Sequence, residues 1–160
     1  MKKLFILLLL LGFGVTALAQ NGRQLYNKYS DSPGVEAIYI SPTMFKRIGI
    51  IPDMELNDKD VNLSHVIKSM TGFYSLSASN AKVREALRKD IDKYIQSSDY
   101  ELLMESKDDD EIMRIYIVGD EETITSFVML EYEDDEINFI SIDGNMNRAQ
   151  MEELLAKTVK

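Results

Sequence analysis

Residues 100–144 read YELLMESKDDDEIMRIYIVGDEETITSFVMLEYEDDEINFISIDG. Four runs in this stretch, Tyr100–Glu105, Ile112–Val118, Thr125–Tyr132 and Ile137–Ile142, are rich in β-branched, aromatic and aliphatic side chains. Short polar breaks separate them: Lys107-Asp108-Asp109-Asp110, Gly119-Asp120-Glu121 and Glu133-Asp134-Asp135-Glu136. Runs of that composition suit a pleated, half-buried surface, and breaks of that length suit hairpin loops. The stretch therefore predicts an antiparallel meander whose acidic loops lie near one another. Met113, Ile115 and Ile117 alternate with Ile112, Arg114, Tyr116 and Val118, whereas Phe127-Val128-Met129-Leu130 is apolar without a break.

Working upstream, Asn80 is placed to cap a helix over Ala81–Gln96, where Val83, Leu87, Ile91, Tyr94 and Ile95 follow the 3.6-residue period of one buried face. Phe73–Ser79 and Val35–Ser41 read as two more strands, the latter bounded by Ser32-Pro33-Gly34 and by Pro42. Short helices are expected over Gln24–Ser30, Thr43–Ile48 and Asp60–Met70, with a loop over Ile50–Lys59. Downstream, Asp143-Gly144-Asn145 reads as the end of the last strand. Asn147 and Gln150 then form a capping-box start to a final helix with Met151, Leu154, Leu155 and Thr158 on one face. The sum is an α+β domain: a single, mainly antiparallel sheet of about six strands with helices packed on one face. The opposite face is expected to present Tyr116, Val118, Leu130 and Tyr132 to a partner.

The chain opens with Lys2 and Lys3, followed by the apolar run Leu4–Leu11 and by Ala17-Leu18-Ala19 before Gln20. A charged start, a short apolar stretch and an A-x-A site read as a secretory signal peptide over residues 1–19, with cleavage after Ala19. The run falls short of the ~20 apolar residues of a membrane-spanning helix. Residues 20–160 are then a single domain, expected in the periplasm or outside the cell. With no Cys in the chain, a lipid anchor at the cleavage site is excluded, and so are disulfides and thiol catalysis.

A balance of 18 Lys+Arg against 27 Asp+Glu, net charge -9, argues against a nucleic-acid partner, because phosphate recognition needs a basic face. The single His, His65, and the lack of Cys leave no usual zinc set, and the chain holds no G-x-S-x-G nucleophile elbow. Asp143-Gly144-Asn145-Met146-Asn147 matches the opening of a calcium loop, but Arg148 stands at the glycine position and Leu154 where the bidentate glutamate belongs. The acidic runs 108–111 and 133–136 read as solvated hairpin tips rather than a cation clamp. No catalytic residue, metal ligand or cofactor site is assigned.

Several segments in order carry a likeness: Tyr29-Ser30-Asp31, Gly34–Ser41, Met44-Phe45, Tyr100–Glu105, Lys107-Asp108, Phe127–Leu130 and Phe139–Gly144. By these the chain resembles the small exported bacterial proteins grouped as domain-of-unknown-function family 4252, from about Asn27 to Leu155. The resemblance implies a shared fold and a place in the cell envelope, often as lipoproteins, a lipid this chain has no Cys to carry. It supplies no functional residue. The leading expectation is an exported, non-catalytic envelope accessory or protein-interaction domain with an envelope protein as partner. An alternative is a small-molecule or lipid-binding periplasmic module with Phe73, Leu76, Ile91 and Phe127 around the ligand. The third is a carboxylate-dependent hydrolase.

Overall fold

The computed structural model describes residues 22–47, 68–97 and 99–158. The elements in chain order are α1 (Gly22–Tyr29), β1 (Val35–Ile40), α2 (Pro42–Arg47), β2 (Met70–Ala78), α3 (Ala81–Gln96), β3 (Glu101–Lys107), β4 (Ile112–Gly119), β5 (Thr123–Tyr132), β6 (Ile137–Asn147) and α4 (Arg148–Thr158). The signal-peptide reading of residues 1–19, the loop over Ile50–Lys59, His65 and most of the expected helix over Asp60–Met70 lie outside the described residues. Met70 itself opens β2.

All neighbouring strands pair antiparallel in the order β1-β2-β6-β5-β4-β3. The α+β class, the single antiparallel sheet of six strands and the meander β3-β4-β5-β6 are as the residue pattern predicts. What the pattern leaves open is where β1 and β2 attach. β2 pairs with β6, and β1 with β2, which makes β6 and β2 interior strands and leaves β1 and β3 at the edges.

Residues directly opposite on paired strands share a face. One face carries Ala37, Leu76, Phe139, Leu130 and Arg114; the other carries Ile38, Ser75, Ile140, Met129 and Ile115. Against the first face pack Leu25 and Tyr29 of α1 and Leu87, Ile91 and Tyr94 of α3. Fully burying side chains of this size contributes about 1.5–3 kcal/mol each, which is what seats a helix whose remaining positions are mostly charged. Against the second face pack Phe45 of α2 and Met151 of α4, meeting Phe73, Ile115, Phe127 and Ile142. The arrangement expected of all the helices thus describes α1 and α3, while α2 and α4 take the opposite face. The reason is already in Phe127-Val128-Met129-Leu130: an interior strand with an unbroken apolar run has two faces to bury.

The last strand runs five residues beyond Ile142, a correction to the turn expected at Asp143-Gly144-Asn145. Gly144 pairs with Met70 and Met146 with Ile124, and the Asn145 N–H donates to the Ser69 carbonyl at 2.9 Å. Pairing on both sides overrides residues that favour turns in isolation. The two caps form as read: Asn80 Oδ1 accepts from the backbone of Lys82 and Val83, and Asn147 and Gln150 bond reciprocally.

Candidate functional site

Tyr116, Val118, Leu130 and Tyr132 share a face, but it is the face beneath α3 rather than the one opposite the helices. Leu130 is 1% exposed and Tyr132 9%, and both belong to the core that includes Leu87 and Ile91. Arg88 of α3 lies 5.0 Å above the Tyr132 ring. The Tyr132 hydroxyl is buried with no hydrogen-bond partner among the described residues, and burial pushes its pKa up to about 12, with Asp92 adding and Arg114 and Arg88 opposing. Tyr116 and Val118 are half-buried. Period-two alternation says which residues share a face, not which face is covered; with aliphatics in both sets of β4, nothing local decides it. Phe73, Leu76, Ile91 and Phe127 are all buried, with Leu76 and Ile91 in one core and Phe73 and Phe127 in the other, so they do not line one space.

Among the described residues the large apolar side chains that remain exposed lie on the two edge strands: Ile38 (47%) and Tyr39 (38%) on β1, and Leu102 (53%) and Leu103 (45%) on β3. The edges differ in how they are guarded. β3 breaks register between Leu102 and Met104 and carries Glu101, Glu105 and Lys107, with Glu105 paired to Lys107 at 2.9 Å and to Arg114 at 2.7 Å. A bulge and charges of both signs are how natural edges refuse further strands. β1 has neither. Its sequence VEAIYI holds one charge, and its register with β2 runs unbroken from Val35 to Ile40.

Beside that edge the side chains are held in place. Tyr39 stacks on Tyr74 of β2 with centroids 5.3 Å apart and planes 12° apart, Tyr26 of α1 closes on both rings, and the Arg23 guanidinium lies 5.9 Å from the Tyr39 centroid. Such aromatic pairs contribute about 0.5–1.5 kcal/mol beyond area burial and leave Tyr39 a rigid anchor. The entry to β1 depends on Gly34, whose φ of +71° suits glycine and whose carbonyl accepts from the Ser79 N–H at 2.9 Å. Ile38 and Tyr39 were not singled out from the sequence, because nothing local marks β1 as an edge.

At one end of the sheet the loops after β3 and β5 come together as expected. Asp108, Asp109, Asp110, Glu111, Glu133, Asp134 and Asp135 line an open cleft of about 440 Å³. Among the described residues no group of three or more His, Asp or Glu is arranged to hold a metal ion. Glu131 on β5 has its carboxyl pushed up by burial and then by Glu111 of the cleft, while the Asn138 amide donates to it at 3.2 Å.

With this geometry in hand, a family model described as a domain of unknown function (DUF4252) matches residues 29–154. The chain belongs to that family. The DUF4252 match takes in every strand of the sheet, both edges included. No curated protein and no solved structure gives a significant match to the chain.

The DUF4252 domain also contains a part-buried polar line that the sequence pattern did not reveal. Tyr94 Oη meets Tyr100 Oη, Tyr100 Oη lies 2.8 Å from Ser126 Oγ, and Ser126 Oγ donates to Asp143 Oδ1 at 3.1 Å. Burial raises both tyrosines. It also pushes the Asp143 carboxyl up, against the Ser126 hydroxyl, which holds it down. The available signal was the continuing alternation Phe139, Ser141, Asp143 against Ile140, Ile142, Gly144; the turn-like Asp-Gly-Asn masked it.

Proposed function

We propose that this protein is a non-catalytic protein-interaction domain of the cell envelope, which binds an extended segment of a partner protein along β1. The observation that carries the reading is the contrast between the two edges. β3 has a bulge and paired charges, whereas β1 offers an unbroken row of backbone groups with Ile38 and Tyr39 exposed beside it. An added strand gains affinity from main-chain hydrogen bonds and specificity from alternate side chains, and the ring cluster of Tyr26, Tyr39 and Tyr74 gives it a firm wall. The envelope location rests on residues 1–19 of the sequence. No helix among the described residues is long and apolar enough to cross a membrane.

Ile38→Lys places a charge on the exposed β1 edge and is expected to leave stability within about 0.5 kcal/mol of wild type. In pull-downs from native envelopes it should abolish capture of a partner that wild type retains, while Leu102→Lys on β3 should keep it. Equal capture by wild type and Ile38→Lys, or no reproducible partner for wild type, overturns the reading.

A further inference from the structure

The hydrogen bonding of β1 to β2 fixes which backbone groups the open edge offers. The Ser79 N–H donates to the Gly34 carbonyl at 2.9 Å, and from there the register runs unbroken from Val35 opposite Ala78 to Ile40 opposite Phe73. Antiparallel ladders alternate hydrogen-bonded and non-hydrogen-bonded pairs. Glu36, Ile38 and Ile40 therefore bond inward to β2, and the N–H and C=O groups of Val35, Ala37 and Tyr39 point outward from the sheet edge. The side chains of Ala37 and Tyr39 lie on the α1 face, those of Glu36, Ile38 and Ile40 on the α2 face.

This edge is complementary to itself. A two-fold axis normal to the sheet and passing through Ile38 lays β1 of a second copy antiparallel along the first and keeps both faces continuous. Ala37 of each copy then exchanges both main-chain bonds with Tyr39 of the other, and the small Ala37 side chain leaves room for the Tyr39 ring. Ile38 meets Ile38 in a non-hydrogen-bonded pair, where side chains approach most closely, and its 47% exposure is removed.

The charges agree with the same register. Glu36, the one charged residue of β1, comes opposite Ile40 of the other copy, at the end from which that copy's α2 departs. The last turn of α2 carries Lys46 and Arg47, both exposed, and among the described residues neither they nor Glu36 form an ion pair. A two-fold axis through Ala37 instead would set Glu36 against Ile38 and leave the two isoleucines apart.

We propose that the segment bound along β1 is β1 of a second copy of this chain, in the register centred on Ile38, so that two sheets join into one. This rests on the reading of β1 as a docking edge and names its partner.

The test uses the full chain, purified as a bacterial host leaves it. Sedimentation equilibrium should give about twice the chain mass for wild type, and Ile38→Lys should raise the dissociation constant at least tenfold, while Leu102→Lys on the other edge leaves it unchanged. Glu36→Lys should raise it about threefold, and Lys46→Glu with Arg47→Glu in the same chain should restore it. Because the chain has no Cys, Ile38→Cys gives one thiol per copy, placed on the axis at a Cα separation of ~4.5–5.5 Å that a disulfide accepts. Under mild oxidation it should cross-link at least tenfold faster than Glu36→Cys or Leu102→Cys. A monomer up to ~100 μM, a dimer indifferent to Ile38→Lys, an unrestored charge swap or equal cross-linking rates each overturn the self-pairing. A monomeric wild type that still captures another envelope protein, and loses it with Ile38→Lys, overturns the self-pairing alone and leaves β1 as a docking edge. A monomeric wild type that captures nothing overturns both.

Discussion

At the scale of single residues, two carboxylates respond to the fold in opposite senses. Asp90 of α3 accepts from Tyr29 Oη at 2.6 Å and from Lys28 Nζ, with Lys93 3.8 Å away, so it ties α1 to α3. Burial pushes its carboxyl up, but the Lys28 and Tyr29 donors outweigh that and hold it below the usual range. A depressed acid contributes stability above its unfolded pKa of ~3.9 and loses it as pH falls through the folded value. Asp90→Asn is expected to cost about 1–2 kcal/mol in urea unfolding at pH 7, and much less near pH 2.5. Glu131 has the reverse sign. Its carboxyl is raised, so its ionisation disfavours the fold increasingly as pH climbs through and beyond ~4.3. Glu131→Gln keeps an acceptor for Asn138 and removes the repulsion from Glu111. It should stabilise the protein by about 0.5 kcal/mol at pH 7, allowing for the solvent that still reaches the site, and by nothing at pH 3.

At the scale of elements, the helix starts are set by local chemistry while the strand ends are not. The reciprocal bonds between Asn147 and Gln150, 2.9 and 3.0 Å, satisfy backbone donors at the start of α4, and that start positions Met151 in the core. Asn147→Ala is expected to cost about 1 kcal/mol and to speed amide exchange in α4 selectively, leaving β5 protected. Uniform acceleration through the sheet would show instead that α4 and β6 open together. The strand ends follow a different rule. The same Asp143-Gly144-Asn145 that reads as a turn is held extended because β2 and β5 lie on either side of it.

At the scale of the molecule, net charge -9 and the gathering of seven acidic side chains around one cleft set a repulsion that salt should relieve. The melting temperature at neutral pH is expected to rise by a few degrees between ~0.01 and ~0.3 M sodium chloride, as the Debye length falls from ~30 Å to below 10 Å. Calcium acting at micromolar concentration and fixed ionic strength would instead reveal a metal site in the cleft. Much of the fold behind that cleft was legible locally. Strand-forming runs, the meander and the exact span Ala81–Gln96 of α3 follow from periodicity, capping and loop length, because each depends on residues within a few positions of one another. The pairing of β6 with β2, the covering of both sheet faces and the choice of β1 as an open edge depend on segments far apart in the chain. No local energy selects among them: both faces of the sheet are apolar, and closing a long loop costs little more than closing a shorter one. Hence Leu130 and Tyr132, indistinguishable by pattern from exposed residues, are core, and Ile38 and Tyr39, indistinguishable from core, stand at the rim.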